Sequence, residues 1–198
     1  NIGTGASFHP AIQMLSAIAK QKGHETKLLH LHPMFSYELN DELHQKCVDY
    51  INLYKPDICA WTCTDFEWKW VEPLAKAMKE ACPDTFFLIG GKAARSGKEL
   101  DVFDALCFGE GEVPWADFLD KYPSANIYSI PSMWFKLADE SQPNGYKILK
   151  NKLGGIVENM DELPFLDFDI FDTPKLLDIR KNWISMTFTR GCVYNCTY

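Results

Sequence analysis

Two cysteines near the end of the sequence, Cys192 and Cys196, have three residues between them in Arg190-Gly191-Cys192-Val193-Tyr194-Asn195-Cys196-Thr197-Tyr198. Thiolates at this spacing can share a soft metal centre, as half of a zinc site or as part of an iron–sulfur cluster. A bare pair also fits two unrelated cysteines. A second set of chemically permissive residues is spread over four short stretches: Ser7-Phe8-His9, Thr62-Cys63-Thr64, Gly90-Gly91-Lys92 and Gly109-Glu110-Gly111-Glu112. Glycines without a Cβ let the backbone approach a ligand closely, and short hydroxyl side chains add hydrogen bonds without bulk. The same glycines can do no more than end strands tightly.

The elements that position these stretches follow from hydrophobic periodicity. Ile12, Leu15, Ile18 and Ala19 recur at helical spacing over residues 10–22, and Lys22-Gly23-His24 closes that helix. Residues 26–31 read as a short strand and 38–54 as a second helix, ended by Lys55-Pro56-Asp57. Continuous apolar runs at 58–61, 85–89 and 105–108 have the character of parallel strands covered on both faces, and helices are expected at 67–81 and 113–122. Strands alternating with helices imply a doubly wound, Rossmann-like (flavodoxin-like) α/β fold, a parallel sheet with helices on both faces. Only Asn1-Ile2 precede Gly3-Thr4-Gly5, so the first strand is expected to be very short or to begin upstream. Residues 130–137 and 146–149 flank a turn containing Asn144-Gly145 and read as a β-hairpin outside the main sheet. Residues 154–173 read as a surface linker and 183–188 as a last strand. The expected division is 1–123 for the Rossmann-like domain, 124–182 for a small hairpin and linker extension, and 183–198 for the start of a further domain.

Composition narrows the function classes. Of 198 residues, 20 are Lys or Arg and 27 are Asp or Glu, a formal charge of -7 without a basic stripe, which argues against nucleic acid as a partner. No apolar run approaches the ~20 residues that span a bilayer, and no leader pattern opens the chain, so no membrane partner and a cytoplasmic location are expected. Cys59 and Cys107 lie in strand-like runs and read as small core residues of a reducing compartment. The aromatics Trp61, Phe66, Trp68, Trp70 and Trp115 could cover the face of a flat ligand but are usually core in helices and strands and stay unassigned, His24, His30, His32 and His44 read as structural or exposed, and Asp161, Glu162, Asp167, Asp169 and Asp172 as a solvated linker.

The segment from Arg190 to Tyr198 resembles the opening of a radical S-adenosylmethionine domain, whose signature is C-x3-C-x2-C. Cys192 and Cys196 match its first two cysteines, the third would be the residue after Tyr198, and the aromatic at the place of Tyr198 lies near the adenine in that family. Three such thiolates hold three irons of a [4Fe-4S] cluster and leave the fourth for S-adenosylmethionine, whose cleavage gives a 5′-deoxyadenosyl radical. The preceding three quarters resemble the cobalamin-binding domain of the cobalamin-dependent branch, through Lys22-Gly23-His24, Lys55-Pro56-Asp57, Gly90-Gly91, Gly109-Glu110-Gly111-Glu112 and the Leu163-Pro164…Asp167-Phe168-Asp169 linker. The resemblance implies a cobalamin-binding module, not catalytic by itself, of an enzyme performing methyl transfer or related radical chemistry. Its implied partners are cobalamin and the rest of its own radical domain, with cluster and S-adenosylmethionine bound only in the full-length protein. It places the corrin against Ser7, Phe8, His9, Thr62, Cys63, Thr64, Gly90, Gly91, Lys92, Gly109, Glu110, Gly111 and Glu112. The D-x-H-x-x-G motif that puts histidine on cobalt elsewhere is absent, since Ser7 stands two before His9, and no histidine ligand is expected. Two alternatives remain: a degenerate cobalamin fold used as a recognition surface, and a flavodoxin-like module with a chance cysteine pair. The second calls for phosphate-cradling residues or paired aspartates after the first strand, and neither is seen.

Overall fold

A computed structural model describes residues 8–31, 40–91, 96–184, 190 and 194. Helix α1, Pro10–Gln21, starts with proline at its first position, where no amide partner is needed, and stops where Gly23 takes φ +87°. The His24 amide then donates to the Ala19 carbonyl at 3.0 Å. Helix α2, Asp41–Tyr54, begins three residues after its expected start, at Asn40, whose side chain accepts from the Leu43 amide at 3.0 Å. Strand β1, Ile58–Thr62, helix α3, Trp68–Ala81, strand β2, Phe86–Gly90, strand β3, Ala105–Cys107, and helix α4, Glu112–Lys121, follow as the periodicity requires.

The sheet order is β1-β2-β3-β4-β5, with β1, β2 and β3 parallel. Alternation along β2 fixes which helix covers which face. Phe87 and Ile89 pack with Leu43, Cys47 and Ile51 of α2 and Leu74, Ala75 and Met78 of α3. Leu88 points the other way, toward Phe118 of α4, and α1 lies against α4. Helices therefore cover both faces, and the fold is the expected doubly wound α/β arrangement. Fully burying side chains such as Phe87, Ile89, Leu106 and Phe118 stabilises this core by about 1.5–3 kcal/mol each.

Three expectations need correction. The hairpin, strands β4, Met133–Ala138, and β5, Tyr146–Lys150, is part of the main sheet: β4 pairs antiparallel with β3 from Ala105↔Phe135 to Cys107↔Met133. The apolar side chains of Met133 and Phe135, both fully buried, join the α4 face and make this the favourable place for it. Residues 26–31 form no strand. In a 2-1-3-4-5 order, β1 to β3 take the last three places, and a strand from residues 26–31 would need a neighbour from the residues before α1, of which only Phe8 and His9 are described. The linker is not simply solvated: the Asp167 side chain is 8% exposed, accepts from Ser16 Oγ at 2.6 Å and pairs with Lys20 Nζ at 2.7 Å. Phe168 and Phe171 seat beside Phe8, and Asp172 caps helix α5, Thr173–Ile179. Of the expected strand at 183–188, Trp183 and Ile184 are not strand and the rest lies outside the described residues. Among the described residues, no helix is long and apolar enough to cross a membrane.

Candidate functional site at the carboxyl edge of the sheet

Parallel strands that all end on one side carry their following turns to one edge, and here that edge gathers the expected stretches. Thr62 ends β1, Gly90 ends β2, and Gly109 to Glu112 lead from β3 into α4. His9, at the head of α1, joins them, and its imidazole is close enough to feel the Glu67 carboxylate. Ser7, Lys92, Cys192, Cys196 and Tyr198 lie outside the described residues. Phe8 is 3% exposed and packs edge-on against Phe168 and Phe171, in the contact between α1 and the linker.

The two glycine turns are built differently at each position. Gly91 has φ +95°, and a Cβ there would lie 2.7 Å from the Cys63 carbonyl oxygen and 2.9 Å from Thr62 Oγ1. Its glycine is required by the close approach of the β1 and β2 ends. Gly109, at φ +78°, would meet Leu153 Cδ1 at 2.9 Å. Gly90 and Gly111 differ, because their nearest neighbours, the Cys107 carbonyl and Leu15 Cδ2, are 3.7 Å away. Among the described residues a Cβ at either position would make only an ordinary van der Waals contact.

Polar groups around the edge fall into satisfied and unsatisfied sets. Thr64 and Glu67 form a one-sided cap: the Thr64 amide and Oγ1 both donate to Glu67 Oε2, at 2.7 and 2.9 Å, while the Glu67 amide donates to the Thr64 backbone carbonyl at 3.0 Å. Cys63 is buried, and burial, followed by the nearby charges of Glu67, Glu99 and Asp65, pushes its thiol up to about 12. It stays a neutral thiol, contributing backbone rather than a thiolate. Glu110 Oε2 accepts from the Val157 amide at 2.7 Å, and Glu112, 7% exposed, faces the Arg190 guanidinium. In contrast, His9 Nδ1 and Gln13 Nε2 are buried and have no hydrogen-bond partner among the described residues. They sit one turn apart on α1, and Gln13 is 1% exposed. Burial is the main reason the His9 imidazole titrates below its usual range, which favours the neutral ring. An unpartnered buried amide nitrogen costs about 1–3 kcal/mol, which a ligand acceptor would recover.

No family model matches the chain. It is similar to an uncharacterized methyltransferase of Pyrococcus horikoshii, 24% identical over 154 residues. The match covers 75% of this chain, which spans about a third (32%) of the relative's length. The likeness therefore runs over most of the α/β fold described above and is to a methyltransferase.

Gln13, Glu67 and Arg190 were not among the residues singled out from sequence. Thr64-Asp65-Phe66-Glu67 carries the spacing of a capping box, which would have found Glu67. Gln13 had only its position four after His9. Phe66, left unassigned between core and ligand face, is 87% exposed on the turn after β1. A separate hollow of about 520 Å³, lined by Asp101, Asp104, Lys136 and Tyr146, opens on the opposite edge of the sheet, away from these turns. Among the described residues no three His, Cys, Asp or Glu side chains converge as a metal site.

Proposed function

We propose that the chain is a cobalamin-binding module of a radical S-adenosylmethionine enzyme that transfers methyl groups or performs related radical chemistry. The observation that supports this reading is a pair of buried polar atoms without a partner among the described residues, His9 Nδ1 and Gln13 Nε2, at the head and in the first turn of α1. Corrin amide side chains supply the acceptors and donors that such atoms lack. The Gly90 and Gly111 positions, where a Cβ would meet no close contact among the described residues, agree with a backbone that a ligand can approach, and the similarity to a methyltransferase agrees with the reaction class.

In this reading His9 and Gln13 hydrogen-bond the macrocycle's amides, the backbone of Gly90 and Gly111 approaches it, and the Thr64–Glu67 cap keeps the turn after β1 in place. Bound cobalamin supplies a cobalt centre able to carry a methyl group. The neutral state of His9, favoured by burial, leaves one ring nitrogen to accept a proton-bearing partner. Cys192 and Cys196 contribute two thiolates to an iron–sulfur cluster in the longer protein. Equilibrium dialysis against hydroxocobalamin tests the reading. Gln13→Leu should weaken binding about tenfold for the loss of one buried hydrogen bond, with secondary structure unchanged. Equal affinity of both forms would remove the carrying observation.

A second reading is favoured by one detail. The space beside Gly91 and Gly109 is taken by Thr62, Cys63 and Leu153, as in a fold of this kind that keeps its shape without a corrin and serves as a recognition surface. That reading predicts no cobalamin in the dialysis at all.

A further inference from the structure

Ser132, the residue before β4, stands in the left-handed region at φ +61° and is only 2% exposed. A residue with a Cβ is strained there and persists only where its surroundings hold it. Three hydrogen bonds do so. The Ser132 carbonyl accepts from the Phe108 amide at 3.0 Å, its amide donates to the Lys152 carbonyl at 2.8 Å, and its Oγ accepts from the Gly154 amide at 2.8 Å. One buried residue thus joins the end of β3, the start of β4 and the stretch after β5. The fit is close, because a Cβ at Gly154 would lie 3.1 Å from Pro131 Cβ and 3.2 Å from Ser132 Oγ.

The stretch after β5, residues 151–157, contains no helix or strand and is pinned at both ends. Asn151 Nδ2 donates to the Tyr128 and Ile130 carbonyls at 3.0 and 2.8 Å, and the Asn151 carbonyl accepts from Trp134 Nε1 at 3.2 Å. At the other end the Val157 amide donates to Glu110 Oε2 at 2.7 Å. Between them Leu153 lies against Gly109, where an added Cβ would meet its Cδ1 at 2.9 Å. The stretch is therefore a strap across the turn between β3 and α4, and Ser132 holds its middle.

We propose that Ser132 is a positioning residue of the carboxyl-edge site. Through the strap it fixes the Gly109–Glu110 turn and keeps Glu110 engaged with Val157 instead of with a ligand. Its effect on a ligand rests on the cobalamin reading, whereas its hold on the strap does not.

The test is amide hydrogen exchange read by NMR in the full chain, beside equilibrium dialysis against hydroxocobalamin. Ser132→Ala removes the Oγ acceptor and keeps the backbone strain, and Ser132→Gly removes both. Each should speed exchange of the Gly154 and Val157 amides about tenfold. Val157 is the decisive amide, since neither substitution touches its acceptor on Glu110. In Ser132→Gly the amides of Phe87 and Ile89 in β2 should keep the parent's rate, and this variant should melt about 2–4 °C above Ser132→Ala. Both variants should weaken hydroxocobalamin binding about tenfold despite their different melting temperatures, a split that a role in stability alone would not give. Unchanged Val157 exchange in Ser132→Gly would overturn the proposal, as would faster exchange spread evenly over the chain, or parent-like hydroxocobalamin affinity in both variants. If the parent chain binds no hydroxocobalamin, the cobalamin reading fails and the exchange rates decide the role of Ser132 by themselves.

Discussion

Replacing Gly91 by alanine separates a glycine needed by the protein from glycines free to serve a ligand. At φ +95° an L-residue is strained, at about 1–2 kcal/mol. The added Cβ would lie 2.7 Å from the Cys63 carbonyl oxygen and 2.9 Å from Thr62 Oγ1, and both belong to the end of β1, which must move. Forcing an extra carbon into a packed contact adds about 1–3 kcal/mol. The expected total of about 3 kcal/mol corresponds to a melting temperature lower by roughly 6–12 °C for a chain of this size. Gly111→Ala is the control, with φ -93° and its nearest neighbour 3.7 Å away, and it should change stability by less than about 1 kcal/mol. Its effect should fall on cobalamin affinity. Thermal unfolding followed by circular dichroism reads both variants. A Gly91→Ala protein melting within about 2 °C of the parent, or a Gly111→Ala protein destabilised as much as Gly91→Ala, would refute this reasoning.

Three further outcomes are expected. Burial opposes ionisation of Asp167, but hydrogen bonds from Lys20 and Ser16 outweigh it and hold its carboxyl below the usual range. Its contribution is therefore present above the unfolded-state value and lost as pH falls through the lower folded value, so Asp167→Asn should flatten the acid side of the stability–pH curve and cost about 2 kcal/mol near neutrality in urea titrations. Burial pushes the thiols of Cys59, Cys63 and Cys107 up to about 12, so at pH 8 they should resist iodoacetamide in the folded chain and react in urea, as peptide mass spectrometry would record. Glu67→Ala removes the acceptor from the Thr64 amide and hydroxyl and should lower stability by about 1 kcal/mol in the same titrations.

Features set by local pattern were legible in the sequence, and those set by long-range pairing were not. The spacing of Ile12, Leu15 and Ile18 and the stop at Gly23 define α1, and the apolar runs of β1, β2 and β3 announce strands covered on two faces. The run at 26–31 has equally good strand composition, but a strand exists only where a neighbour pairs with it, and composition does not name the neighbour. The hairpin was recognisable from Asn144-Gly145, whereas its place beside β3 depends on which edge is free and on the apolar side chains of Met133 and Phe135. At the site, the turns were found because glycine and hydroxyl residues follow strands. Gln13 escaped because periodicity marks apolar faces and treats a polar residue among them as an interruption. The Asp167 clasp and the Arg190–Glu112 pair each join distant parts of the chain, and a charged residue read alone looks solvated.

The central claim is binding of a corrin at the carboxyl edge, and an absorption titration of the purified chain with hydroxocobalamin tests it most directly. Saturation at one equivalent with a base-off spectrum is predicted, the base-off form being kept in both His9→Ala and Gln13→Leu while the affinity of each is lower. A spectrum identical to that of free hydroxocobalamin at every ratio would contradict it.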